Sequence, residues 1–103
     1  MRLSFSPVRT DARLSLEVAG DVLIINGEPF DFSGLPEGAS LPQTAVASGW
    51  LISDVERTAG EIALTLLLPH GATAPATTLV PAAITVPDGP VALPAYDTGE
   101  AQT

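Results

Sequence analysis

Hydrophobic positions in this 103-residue chain recur mostly at every second residue and in short runs. Leu3 and Phe5, then Leu14, Leu16 and Val18, alternate with polar residues; Ile62, Leu64, Leu66 and Leu68 alternate with Ala63, Thr65 and Leu67. A period of two turns one face of an extended strand toward a core and the other toward water. Ten prolines and nine glycines punctuate the chain too often for a long helix to pass between them. The pattern therefore predicts an all-β fold, a small sandwich or partly open barrel of about six to eight short antiparallel strands with two β-hairpins.

The first hairpin joins Val22-Leu23-Ile24-Ile25 to Glu28-Pro29-Phe30-Asp31-Phe32 through Asn26-Gly27. Both turn residues tolerate the positive φ of a type I′ turn, and a two-residue loop pairs Ile25 with Glu28 and Leu23 with Phe30. Leu23, Phe30 and Phe32 then share one face. Pro29 has no N–H for a ladder, which places its strand at a sheet edge or turns that position outward. The second hairpin runs over residues 50–57 and 61–68 around Thr58-Ala59-Gly60. A three-residue loop would set Glu56 and Asp54 opposite Ile62 and Leu64. A two- or four-residue loop sets Val55, Ser53 and Leu51 on that apolar face instead, and the burial pattern favours this register, with a bulge able to reconcile the two.

Between the hairpins, residues 33–42 (SGLPEGASLP) read as a surface loop anchored by Leu35 and Leu41, followed by a short helical turn over residues 42–48. Residues 72–78 read as a loop. Thr78-Leu79-Val80-Pro81 and Ile84-Thr85-Val86-Pro87 read as short extended pieces, and Asp88-Gly89 as a turn leading to Val91 and Leu93. Residues 1–94 are expected to form a single β domain and residues 95–103 a disordered tail.

Composition narrows the classes. Twelve acids against four bases, with no Lys, give a net charge of -8, too few cations to displace counterions from nucleic acid or to hold an anionic membrane. The absence of Cys excludes disulfides, thiolate metal sites and cysteine nucleophiles. The longest strictly apolar run is Val22–Ile25, far short of a membrane span, and Ser, Pro and Arg break the start of the chain where a secretory signal would be continuous. A cytoplasmic, soluble protein is the corresponding expectation. The glycines fall in no phosphate-cradling spacing, so no nucleotide or other cofactor is expected.

The candidate chemistry is thin. His70 stands between Pro69 and Gly71 at a strand end, where a base or metal ligand can be displayed, although a loop histidine is more often a hydrogen-bonding partner of the backbone. Asp54 and Glu56, two apart on a strand, project from one face as a potential carboxylate pair; a solvated outer face is the simpler reading. Asp31 lies between Phe30 and Phe32, whose rings could raise its pKa by desolvation, but alternation turns it away from them toward the surface. No Gly-x-Ser-x-Gly elbow accompanies His70, and the single Trp50 reads as core. No catalytic, cofactor or metal set is assigned.

The series Ala19-Gly20-Asp21-Val22-Leu23, Ile25-Asn26-Gly27-Glu28, Phe30-Asp31-Phe32, Leu35-Pro36-Glu37-Gly38-Ala39, Leu41-Pro42, Trp50, Leu64-Thr65-Leu66, Leu68-Pro69-His70-Gly71 and Gly89-Pro90-Val91 resembles small proteins encoded by proteobacterial prophages. The likeness spans roughly residues 14–97 and implies a tail-region or late-morphogenesis role, without supplying catalytic residues. Residues 76–81 (ATTLVP) depart from it where an acid and an aromatic are expected before the proline. The leading expectation is a non-enzymatic structural or assembly protein acting through contacts with a phage-encoded protein or with itself. The alternatives are a small hydrolase or metal-dependent enzyme using His70 with nearby carboxylates, and a ligand-binding barrel with an apolar cavity between the hairpins.

Overall fold

A computed structural model of the chain describes residues 1–46, 48–74, 76–79, 81 and 83–93. Among these residues the strands are β1 (Arg2–Arg9), β2 (Leu16–Ala19), β3 (Val22–Ile25), β4 (Glu28–Asp31), β5 (Ser40–Leu41), β6 (Val55–Thr58), β7 (Glu61–His70), β8 (Ile84–Thr85) and β9 (Gly89–Pro90). They form a five-stranded sheet, β5-β6-β7-β1-β8, and a four-stranded sheet, β4-β3-β2-β9. The inward faces of the two sheets share one aliphatic core, so the all-β expectation holds as an open two-sheet sandwich. Leu3, Phe5, Leu64 and Leu66 meet Leu16, Val18, Leu23 and Ile25 there, with Leu51 and Val55 equally buried.

The first hairpin forms as read; the second forms with a shorter first strand, β6 (Val55–Thr58), and with Ser53 lining a groove on the outer face rather than on the apolar face expected of it. Asn26 and Gly27 take φ of 50° and 84°, and the register pairs Ile25 with Glu28 and Leu23 with Phe30. Pro29 lies on β4, an edge strand. The second hairpin uses the two-residue loop Ala59-Gly60, with φ of 54° and 77° and Thr58 opposite Glu61. Val55 and Leu51 thus reach the core face. Arg57 faces Ile62 while Leu51 bridges Leu66, so β6's side carries two more residues than the register of the turn allows. This two-residue bulge is not the one the sequence suggested, which was to reconcile a three-residue loop with the apolar register; the two-residue loop needs no such correction. Ser53 repairs the ladder within the bulge, its hydroxyl oxygen accepting the Thr65 N–H at 2.8 Å.

Three features differ from the sequence reading. The strands are not all antiparallel: β1 runs parallel to β7 over its whole length, with Leu3 beside Leu64 and Phe5 beside Leu66. Parallel neighbours need a long crossover, and here the chain passes through β2, β3 and β4 of the other sheet, then β5 and β6, between them. Pattern along the chain carries no signal for a pairing at that separation. Second, β7 continues through Pro69 to His70 instead of stopping at Leu68. Its odd-numbered residues bond toward the β6 side, as Leu67 N–H does to Trp50 O at 2.8 Å. The N–H that Pro69 lacks would point the same way, beyond Trp50, so the β1–β7 ladder loses nothing. Third, Thr78 and Leu79 belong to a helical turn, α1 (Ala76–Leu79), and not to an extended piece. Thr78 is fully buried, so tertiary packing overrides its local preference for an extended chain.

Two connections differ as well: the end of the loop expected at residues 33–42 is strand β5, paired with β6, and Gly89 of the expected Asp88-Gly89 turn pairs with Val18 as the start of β9, because each finds an open sheet edge to bond. Leu35 and Leu41 pack against the core, a 3₁₀ turn spans Gln43–Ala45 after Pro42, and Ile84–Thr85 is extended. The tail expected at residues 95–103 lies outside the described residues.

Candidate functional site

The outer face of the five-stranded sheet carries a groove of about 300 Å³. Its origin is a difference in side-chain size along one row of the sheet: Glu56 on β6 faces Ala63 on β7, and Ala63 faces Arg2 on β1. Two long charged side chains flank one methyl group, which leaves a trough along β7. The next row deepens it with Ser4 beside Thr65. The bulge sets one wall, because Ser53 turns its hydroxyl toward Thr65 and donates to the Asp54 carbonyl at 2.9 Å. Asp54 lines the groove as well, while its Oδ1 accepts the Gln43 N–H at 2.9 Å at the start of the 3₁₀ turn.

Of the four residues singled out from sequence, the structure brings two together. Asp54 and Glu56 share the groove and are exposed. His70 ends β7 beside Arg9 of β1, seven residues beyond Ala63, a separation of roughly 20 Å at the rise of a strand. It is half-buried, and its Nδ1 stands 2.9 Å from the Gly71 carbonyl oxygen, to which the ring N–H donates. Asp31 ends β4 on the other sheet, fully in solvent, and its Oδ1 accepts the Ser33 N–H at 2.9 Å. That backbone hydrogen bond, joined by the Ser33 hydroxyl, lowers its pKa, the reverse of the increase that shielding by neighbouring rings would bring. The arrangement does not assemble His70 with Asp31 or with the Asp54 and Glu56 pair. Among the described residues no group of three or more His, Asp and Glu side chains stands close enough to hold a metal ion.

Sequence reading missed Arg2 and Ser53. Arg2 lies on the outward side of β1 by the alternation of Leu3 and Phe5, but only the parallel pairing with β7 brings it to Glu56's row. It also missed Arg57, a structural centre rather than part of the groove. Arg57 has the inward parity of Val55 on β6, and its guanidinium crosses between the sheets. Nη2 reaches Asp21 Oδ2 at 2.7 Å and the Phe32 carbonyl at 3.3 Å, and Nε donates to Leu35 O at 2.5 Å. A lone charge at a core-facing strand position was the available signal.

The space where a ligand-binding barrel would keep its cavity is occupied by side chains: Phe32 and Leu66 belong to the core cluster, and Phe30 and Trp50 pack against it. Among the described residues no helix is long and apolar enough to cross a membrane. No protein-family model, curated protein or solved structure matches the chain. What the groove itself offers is recognition chemistry: opposite charges on its two rims and hydroxyls between them.

Proposed function

We propose that this chain is a non-enzymatic, prophage-encoded β domain that works through protein–protein contacts, as a tail-associated component or an assembly factor. It would act in the host cytoplasm, entering the virion if it is a structural component. The observation that carries the reading is where the charge lies. Of the ten acidic residues described, eight are exposed: Asp11, Glu17, Glu28, Asp31, Glu37, Asp54, Glu56 and Asp88. They surround an aliphatic core that, among the described residues, encloses no group of His, Asp and Glu side chains able to hold a metal ion. A surface of this sign repels like-charged chains and draws a partner with a basic face, favouring encounter rate and selectivity over raw affinity. The resemblance to prophage proteins supports the setting.

Two measurements test the reading. Sedimentation of the purified chain reports self-association, and pull-down from induced lysogens, with mass spectrometry of purified particles, reports a phage-encoded partner. The expected outcome is a defined oligomer or a specific phage protein retained at moderate salt. A strictly monomeric protein that retains no phage protein and is missing from particles would overturn it.

A further inference from the structure

We propose that the groove over Ala63 docks an extended segment of a partner protein carrying a basic and an acidic side chain about 10 Å apart, the separation of two strand spacings. The inference rests on the protein-contact reading and names the surface and the chemistry of its occupant. Glu56 and Arg2 stand in one row of the sheet with β7 between them, so the groove is negative along one rim and positive along the other.

The two charges are uncommitted. Arg57 is paired with Asp21 and Arg9 with Asp11, and Arg13 is also engaged. Among the described residues, neither the Arg2 guanidinium nor the Glu56 carboxylate takes a hydrogen bond or an ion pair. A chain with twelve acids and four bases thus leaves an arginine open beside a groove whose far rim is acidic. An occupant with matching charges forms charge-assisted hydrogen bonds at both rims without breaking an internal one.

The lining favours a polypeptide over a small molecule. Small-molecule sites are enclosed and mostly apolar, whereas this trough is open, with Ser4 and Thr65 placed to bond a backbone. The spacing selects the conformation. In a polyproline II segment, residues three apart lie on the same side and about 9.3 Å apart, close to the roughly 9.6 Å across two strand spacings. Crossing the trough from the β6 rim to the β1 rim, perpendicular to β7, the segment therefore reads basic-x-x-acidic, its basic side chain over Glu56 and the free Asp54 oxygen, its acidic side chain over Arg2.

Amide-resolved NMR titration of the full chain with the blocked peptide Ac-Lys-Pro-Pro-Glu-NH2 tests this. Saturable shifts are expected at Ser4, Ala63 and Thr65. Ac-Gln-Pro-Pro-Glu-NH2 and Ac-Lys-Pro-Pro-Gln-NH2 should each bind about fivefold more weakly. Arg2→Gln should abolish discrimination between Glu and Gln peptides, and Glu56→Gln that between Lys and Gln peptides; both positions are exposed, and unchanged spectral dispersion verifies the fold. Equal binding of all three peptides, or no saturable shift in the groove, overturns the proposal. Saturable shifts on another face also overturn it while leaving the protein-contact reading standing, since that reading falls only on the sedimentation and particle results.

Discussion

Arg57 is the single side chain on which the relation of the two sheets most depends. It leaves β6 of the five-stranded sheet and ends on Asp21, at the β2–β3 turn of the other, while also holding the carbonyls of Phe32 and Leu35. The guanidinium is 14% exposed and its partner 35%, so the pair is partly screened and the bonds to carbonyls carry much of the effect. Arg57→Ala removes the guanidinium from the Leu35 carbonyl and leaves the Phe32 carbonyl only the Leu35 N–H, and is expected to cost about 2 kcal/mol in urea unfolding, while Asp21→Asn costs about 1 kcal/mol. Asp31 gives a pH-dependent expectation. Its folded-state pKa lies below the ordinary 3.8 because the Ser33 N–H favours the carboxylate. Its contribution is therefore complete above the unfolded-state value and is lost as pH falls through the lower folded-state value. Urea midpoints measured between about pH 5 and about pH 2 should fall less steeply in Asp31→Asn than in the parent. An Asx turn at Asp31 was within reach of sequence reasoning, since Asp two residues before Ser is a known turn arrangement. The Arg57 contacts were not, because residues 21, 32 and 35 meet it only after the sheets pack.

At the level of elements, the hairpins were the most legible part of the chain, for a local reason. A two-residue turn needs positive φ at both positions, and the residues that supply it are adjacent in sequence. Asn26-Gly27 meets the requirement with two tolerant residues. Ala59-Gly60 meets it with one, because Ala59 sits at φ 54°, where an L-residue with a Cβ bears about 1 kcal/mol of steric cost. Ala59→Asn is expected to recover up to about 1 kcal/mol, seen as a rise of several degrees in the thermal midpoint; a lower midpoint would show that Ala59 makes a contact of compensating value. Register was also legible, since alternation on β7 demanded Val55 and Leu51 inward. The two-residue bulge was not, because a two-residue loop meets that demand without it. Ser53 as the group that mends the ladder was not legible, since many serines lie in turns and only the position of Thr65 singles this one out.

For the whole molecule, the two sheets share one core, so they should unfold together. Leu23 lies in the four-stranded sheet and is fully buried, whereas Trp50 bonds β7 of the other sheet through its carbonyl. Leu23→Ala is expected to lower stability by about 3 kcal/mol, and the Trp50 fluorescence transition should shift by the same amount as the far-ultraviolet circular dichroism. Non-coincident transitions would mean that the sheets are separable units. Proline and glycine spacing, period-two alternation and turn chemistry act between residues a few positions apart, and by themselves they determined that the chain is all-β, where its hairpins turn and which side of each strand is buried. Composition by itself fixed the balance of twelve acids to four bases. Only the tertiary structure decided that β1 lies parallel to β7, that Arg57 crosses between sheets and that Arg2 faces Glu56 across Ala63. Each of these joins residues about 35 to 60 positions apart, and their meeting follows from how two sheets bury one core, which no local pattern encodes.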